Sequence, residues 1–318
     1  MSTYKQIHGT DIEVLSSDPA NPVEGQVWYN STSNTVKANF YNPGSWATGG
    51  DLNTGRGQLA GAGTQTSALA FGGFIPPYLA LTESYNGTSW TEVNDLNTAR
   101  NRLAGDGADN TSALAIGGNA PPSSALTESW NGTSWTEVND LNTARFGLAS
   151  SGIQTAALGF GGRDPVSFPT GTTATESWDG TSWTELNDLN TVRYDLTGSG
   201  TQTAALAFGG RSPATGATES WNGTSWTEVN DLNTARNELA GAGDIAASLA
   251  FGGEPPPTGA TESWNGTSWT EVNDLNTARY GLAGDGTQTA ALAFGGASSL
   301  TATEEWNVGP QTITFSDS

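Results

Sequence analysis

The chain has 318 residues, with 32 acidic against 11 basic side chains and a formal net charge of −21. A surface of that sign repels a phosphate backbone, which argues against nucleic acid as a partner, and the absence of cysteine excludes disulfide scaffolds and thiol nucleophiles. Charged residues are only 14% of the chain while glycine numbers 42, a balance that suits short strands and tight turns rather than amphipathic helices.

The opening MSTYKQIHGTDIEV has no apolar core of a signal peptide, and no run of about 18 apolar residues occurs anywhere. Neither a classical secretion signal nor membrane insertion is expected. SSDPANPVEG reads as a Pro-punctuated linker. GQVWYNSTSNTVKANF reads as a hairpin turning near Ser33-Asn34. Residues 1–38 are expected to be an anchoring hairpin and linker, and residues 39–318 one repeat domain.

From there the chain repeats. DLNT begins at Asp51, Asp95, Asp140, Asp188, Asp231 and Asp274, at spacings of 44, 45, 48, 43 and 43 residues, a period that means a solenoid, an array or a propeller. Each of the first five units runs from an arginine through a Gly/Ala-rich stretch, an Ala-rich run ending in Gly-Gly, a variable loop, TES[WY] and an NGTSW-like segment, which predicts four short strands, and the sixth reaches Trp306 and then leaves the pattern. Asn-Gly or Asp-Gly separates the last two, as a two-residue hairpin requires. Small residues on the first two strands suit strands crowded near an axis. Eleven of the twelve tryptophans, from Trp46 and Trp90 to Trp269 and Trp306, fall on the outer two, where a widening wedge needs bulk. TESWNGTSWTEVNDLNTAR recurs without change at 127–145, 218–236 and 261–279. Some of its positions are expected to face solvent, so recent duplication is the expected cause of the identity.

Arginine, Gly-Gly, an aromatic and a tryptophan about five residues later, repeated six times, resemble the kelch repeat over roughly residues 41–307, although the Tyr-Asp common after Gly-Gly is missing. The resemblance implies an all-β, six-bladed β-propeller with four strands per blade. YNPGSWATGGDLNT aligns with WNGTSWTEVNDLNT. Trp46 is therefore expected to supply the outer strand of the blade begun by Arg279, joining the two chain ends; the competing candidate is QTITF at 311–315. The hairpin opening and the acidic repeats also resemble proteins predicted from marine bacteriophage genomes, in virion and tail-associated roles.

Turns carrying Arg56, Arg100, Arg145, Arg193, Arg236 and Arg279 should share one face with the loops after Gly-Gly, which differ in length and sequence, while the GTQT-type and NGTS turns face the other way. A constant scaffold with variable loops on one side is how binding surfaces are built. The candidate binding residues are those six arginines together with Arg163, Asp164 and Phe168 of the longest loop. The arginines have two readings: grip on an anionic or acidic-glycan ligand, or pairing with Glu83, Glu128, Glu176, Glu219, Glu262 and Glu304, one per unit.

Asn-Gly-Thr matches a glycosylation acceptor, but the hairpin requirement explains it. No Asp-x-Asp-x-Asp-Gly calcium loop is present, and His8, the single histidine, lies outside the repeats, so neither a cofactor nor an enzyme is expected. The expected function is a binding or structural propeller of a phage particle, reaching the extracellular space by release. Its expected partners are a cell-surface glycan or other virion proteins, with homo-oligomerisation through the N-terminal segment. A pure decoration subunit and, further off, a glycan hydrolase are the alternatives.

Overall fold

A computed structural model of the chain describes residues 12–23, 25–121, 123–165 and 171–315. Each sequence repeat becomes one antiparallel sheet. Repeat 1 contributes Ala60–Thr64, Ser67–Phe71, Thr82–Tyr85 and Trp90–Val93, hydrogen-bonded in that order. Repeats 2 to 5 copy it, starting from Ala104–Asp109, Ala149–Ile153, Thr197–Thr201 and Ala240–Gly243. Repeat 6 runs Ala283–Thr287, Ala290–Phe294 and Thr303–Phe315, and the next strand across is Thr35–Thr48, from near the start of the chain. The chain is all-β, with five four-stranded sheets and one of six strands and no helix among the described residues.

Ser45–Asn307 form one compact unit, and Met1–Gly44 with Val308–Ser318 another. Within the second, Val27–Asn30 and the beginning of Thr35–Thr48 make the expected hairpin, turning through Asn34 at φ 55°. Glu13–Leu15 adds a parallel strand beside Val27–Asn30 that alternation alone did not reveal. The segment read as a linker is tied to this hairpin through Asp18, which accepts hydrogen bonds from Trp28 Nε1 (3.0 Å), Asn30 Nδ2 (2.8 Å) and Lys37 Nζ (2.6 Å). Those three bonds hold the Asp18 carboxyl down at about 2.

In the larger unit the core lies between sheets. The fourth-strand tryptophan of each repeat donates its Nε1 proton to the threonine of TES[WY] in the preceding repeat: Trp135 to Thr82, Trp183 to Thr127, Trp226 to Thr175 and Trp269 to Thr218, at 3.1 to 3.2 Å. The same bond joins Trp90 to Thr303 and Trp46 to Thr261. Trp46 thus occupies the fourth-strand place of repeat 6, its ring 5.5 Å from that of Trp306. The third-strand tryptophans of repeats 2 to 6 instead donate to a carbonyl in the first hairpin of their own sheet, as Trp130 does to Asn110 and Trp221 to Gln202.

Small residues on the first strand are a steric necessity. A Cβ on Gly105 would lie 2.4 Å from the Gly61 carbonyl oxygen and 2.6 Å from Phe71 Cζ, both in the neighbouring repeat. No β-carbon tolerates that approach, so glycine here is set by the distance between sheets.

Candidate functional site

The repeat arginine is the first residue to place. All six are buried, at 0 to 2% exposure, and each meets the glutamate of its own sheet's third strand at 2.5 to 3.2 Å: Arg56–Glu83, Arg100–Glu128, Arg145–Glu176, Arg193–Glu219, Arg236–Glu262 and Arg279–Glu304. The glutamate's other oxygen accepts the backbone and side-chain amides of the asparagine in DLNT, as Glu262 does from Asn233 at 2.7 and 2.8 Å. The aspartate of the same DLNT caps the third strand of the sheet before: Asp231 Oδ1 accepts from Thr218 N at 3.0 Å. Burial pulls the Arg100, Arg145, Arg193, Arg236 and Arg279 guanidiniums below their ordinary range, against the pull of their glutamates. Of the two readings of these arginines, the geometry realises the pairing with glutamate and leaves almost no guanidinium surface to offer a ligand.

Two residues further on, equivalent positions of the six repeats meet. Gln58, Arg102, Gly147, Asp195, Glu238 and Gly281 occupy equivalent positions, all with φ between 50° and 61°. In this left-handed conformation each amide donates to the carbonyl of its counterpart in the preceding repeat. Arg102 bonds to Gln58, Gly147 to Arg102, Asp195 to Gly147, Glu238 to Asp195 and Gly281 to Glu238; Gln58 bonds back to Gly281, at 2.6 to 2.9 Å throughout. Six backbone hydrogen bonds therefore return to their start. Glycine meets this conformation freely, whereas the four side-chain-bearing residues pay a local strain of order 1 kcal/mol or more.

Those four side chains differ where everything around them repeats. Arg102 reaches Glu238 at 2.6 Å and Asp195 at 3.3 Å. Arg211, the residue after Gly-Gly in repeat 4, meets the same carboxylates at 3.1 and 2.7 Å. The carboxylates are almost wholly buried, while Arg102 and Arg211 keep 21% and 30% of their side chains exposed. Burial and the neighbouring Asp195 charge raise the Glu238 carboxyl above its ordinary range, beyond what the two arginines offset. Gln58, Arg102, Asp195 and Glu238 line a cavity of about 150 Å³ where these turns meet. Sequence reasoning missed this constellation; its only trace was the unrepeated residue two places after each constant arginine.

The loops after Gly-Gly do lie beside these turns. The residue after each repeat arginine is bridged to the residue after Gly-Gly in five repeats, Gly57 to Phe74, Asn101 to Asn119, Phe146 to Arg163, Tyr194 to Arg211 and Asn237 to Glu254, and in the sixth Ala297 N donates to Tyr280 O at 2.8 Å. Arg163 lies over both Phe146 and Tyr194, 5.8 and 5.1 Å from the ring centroids, and Arg211 lies 5.2 Å from that of Tyr194. Cations and rings therefore alternate along the rim. Asp164 is half-buried next to Arg163. Phe168 lies outside the described residues.

The sequence matches no family model and no curated protein.

Proposed function

We propose that the chain is a six-bladed, kelch-like β-propeller, closed by pairing a strand from near its start with its last repeat, and that it acts as a non-enzymatic binding module. The observation behind this reading is the coincidence of constant and variable residues on one rim. A frame of buried Arg-Glu pairs and backbone bonds repeats six times, and it carries side chains that do not repeat: Arg102, Asp195, Glu238, Arg163, Arg211 and Phe74. A frame that holds differing side chains rigid lowers the entropy lost on binding. The target we assign is a cell-surface glycan or another protein of a virion, a setting supported by the resemblance to phage virion and tail proteins. Exposed Ile12, Val14, Val23, Val27 and Phe315 in the smaller unit favour its being mounted on a larger assembly.

The test replaces RDPVSFPTGTTA, residues 163–174, with the shorter RSPATGA of repeat 4 and compares glycan-array profiles and capture of virion proteins. Folding is expected to survive, because halving a loop changes closure entropy by only about 0.6 kcal/mol, and selectivity is expected to change. Unaltered profiles for this and for swaps of the other five loops would move the protein to the decoration reading.

A further inference from the structure

Deeper along the same axis, a second ring of equivalent positions is formed by the third residue of each first strand: Ala62, Asp106, Ser151, Ser199, Ala242 and Asp285. All six are buried, Asp106 at 7% and Asp285 at 8% exposure. Ser199 is bonded to Ser248, but among the described residues Asp106 Oδ2, Asp285 Oδ2 and Ser151 Oγ have no hydrogen-bond partner. These residues line a cavity of about 180 Å³ whose remaining wall is glycine, alanine and serine. Among the described residues its only titratable groups are the two aspartates, and no lysine or arginine lines it. The six repeat arginines are already committed to glutamates.

Two carboxylates facing a polar cavity with no countercharge are an unusual arrangement, because a buried charge without a partner costs several kcal/mol. Buried unpartnered oxygens call for a donor or a cation. The cavity has room for several waters, the wall supplies hydroxyl and backbone carbonyl oxygens, and two negative charges balance one divalent ion. Hard divalent cations take oxygen ligands and keep part of their hydration shell when few carboxylates are on offer.

We infer that the axial cavity binds one hydrated divalent cation of the calcium or magnesium class, with Asp106 and Asp285 as its charged ligands and Ser151 and water completing the shell. The site adjoins the cavity at the rim assigned to partner binding, with Gly105, Ser150, Gly198, Gly241 and Gly284 common to both walls, but its charged residues are different ones, and its role is to hold the first strands together at the axis. The raised carboxyls agree with it: burial lifts Asp285 to about 8 and Asp106 well above its ordinary value, so a bound cation would displace protons.

The experiment is calorimetric titration and thermal melting of the full chain at pH 7.5 in constant KCl, first stripped with EDTA, then with CaCl2 and MgCl2 separately. The wild type is expected to bind one ion, to release protons that make the apparent enthalpy depend on the buffer, and to melt higher as the ion saturates. Asp285→Asn and Asp106→Asn should each weaken binding by at least about tenfold, the scale on which even outer-shell partners of a metal count. Because either substitution also removes a carboxyl whose ionisation burial penalises, both variants should melt at or above the wild type in EDTA, which separates a lost site from a failed fold. Exposed Glu137→Gln should behave as wild type. Absence of a saturating one-site isotherm for both ions, or equal responses from wild type and the two aspartate variants, would overturn the proposal; equal responses would mean that the ions only screen the −21 surface. Loss of the ion with partner capture intact would leave the rim reading untouched.

Discussion

Arg236 is held on several sides at once: its guanidinium meets Glu262 at 3.2 Å and donates to the carbonyls of Ala260 and Ala250 at 2.9 and 3.2 Å. Removing it leaves Glu262, 1% exposed, buried with only the Asn233 and Thr234 amides around it. Arg236→Ala is therefore expected to cost about 3–5 kcal/mol, read as a lower midpoint in urea, with capture by the variable loops unchanged in the folded fraction. An unchanged midpoint with lost capture would return the arginines to the ligand. Asp285 carries the opposite sign. Its folded value of about 8 lies above the ordinary 3.8, so the folded state holds the proton more tightly. The stability this contributes is fully present below about pH 4 and disappears as pH rises towards 8. In EDTA, Asp285→Asn is expected to flatten the fall in melting temperature between pH 5 and 8.5, and a parallel pair of curves would show that Asp285 titrates normally.

At the scale of the element, the recurring nineteen-residue segment is almost fully employed. In the copy at 218–236, Thr218 accepts from Trp269, Glu219 pairs with Arg193, Asn222 Oδ1 takes the amides of Thr224 and Ser225, and Trp226 reaches Thr175. Asn230 then donates to Thr267 O of the next repeat, Asp231 caps Thr218, Leu232 fills the core and Asn233 holds Glu262. Thr227, Glu228 and Ala235 are exposed and take part in none of these contacts, and it is there that identity reports duplication rather than packing. Thr175→Val should strand the buried Trp226 Nε1 and cost about 1–3 kcal/mol, whereas Glu228→Gln should stay within about 0.5 kcal/mol. Equal effects in denaturant titrations would contradict this division of labour.

For the whole molecule the question is whether six sheets behave as a closed ring or as a row. In a row each repeat depends only on its neighbours, and the terminal one frays first. In the closed propeller we propose, the amide bonds through Gln58 and Gly281 and the bonds Trp90 to Thr303 and Trp46 to Thr261 leave no terminal sheet in the larger unit. Trp46→Ala and Trp269→Ala are therefore expected to destabilise alike, by about 3–5 kcal/mol each, with the larger unit melting in a single calorimetric transition. An added early transition confined to Trp46→Ala would indicate a row with a loose end.

Much of this was legible in the amino-acid order, because strand, turn and repeat are local patterns written six times. The four strands per unit, the Asn-Gly hairpins, the place of Trp46 and a glutamate for every arginine all follow from period and residue type. What lay beyond the sequence depends on which residues of different repeats meet at the axis. Gln58, Arg102, Asp195 and Glu238 are 44, 93 and 43 residues apart in order, and nothing in their local context joins them; one shared left-handed turn does. Asp106 and Asp285 likewise look like ordinary polar residues among glycines. Only the convergence of six first strands removes water from their carboxyls and makes them costly, and so informative.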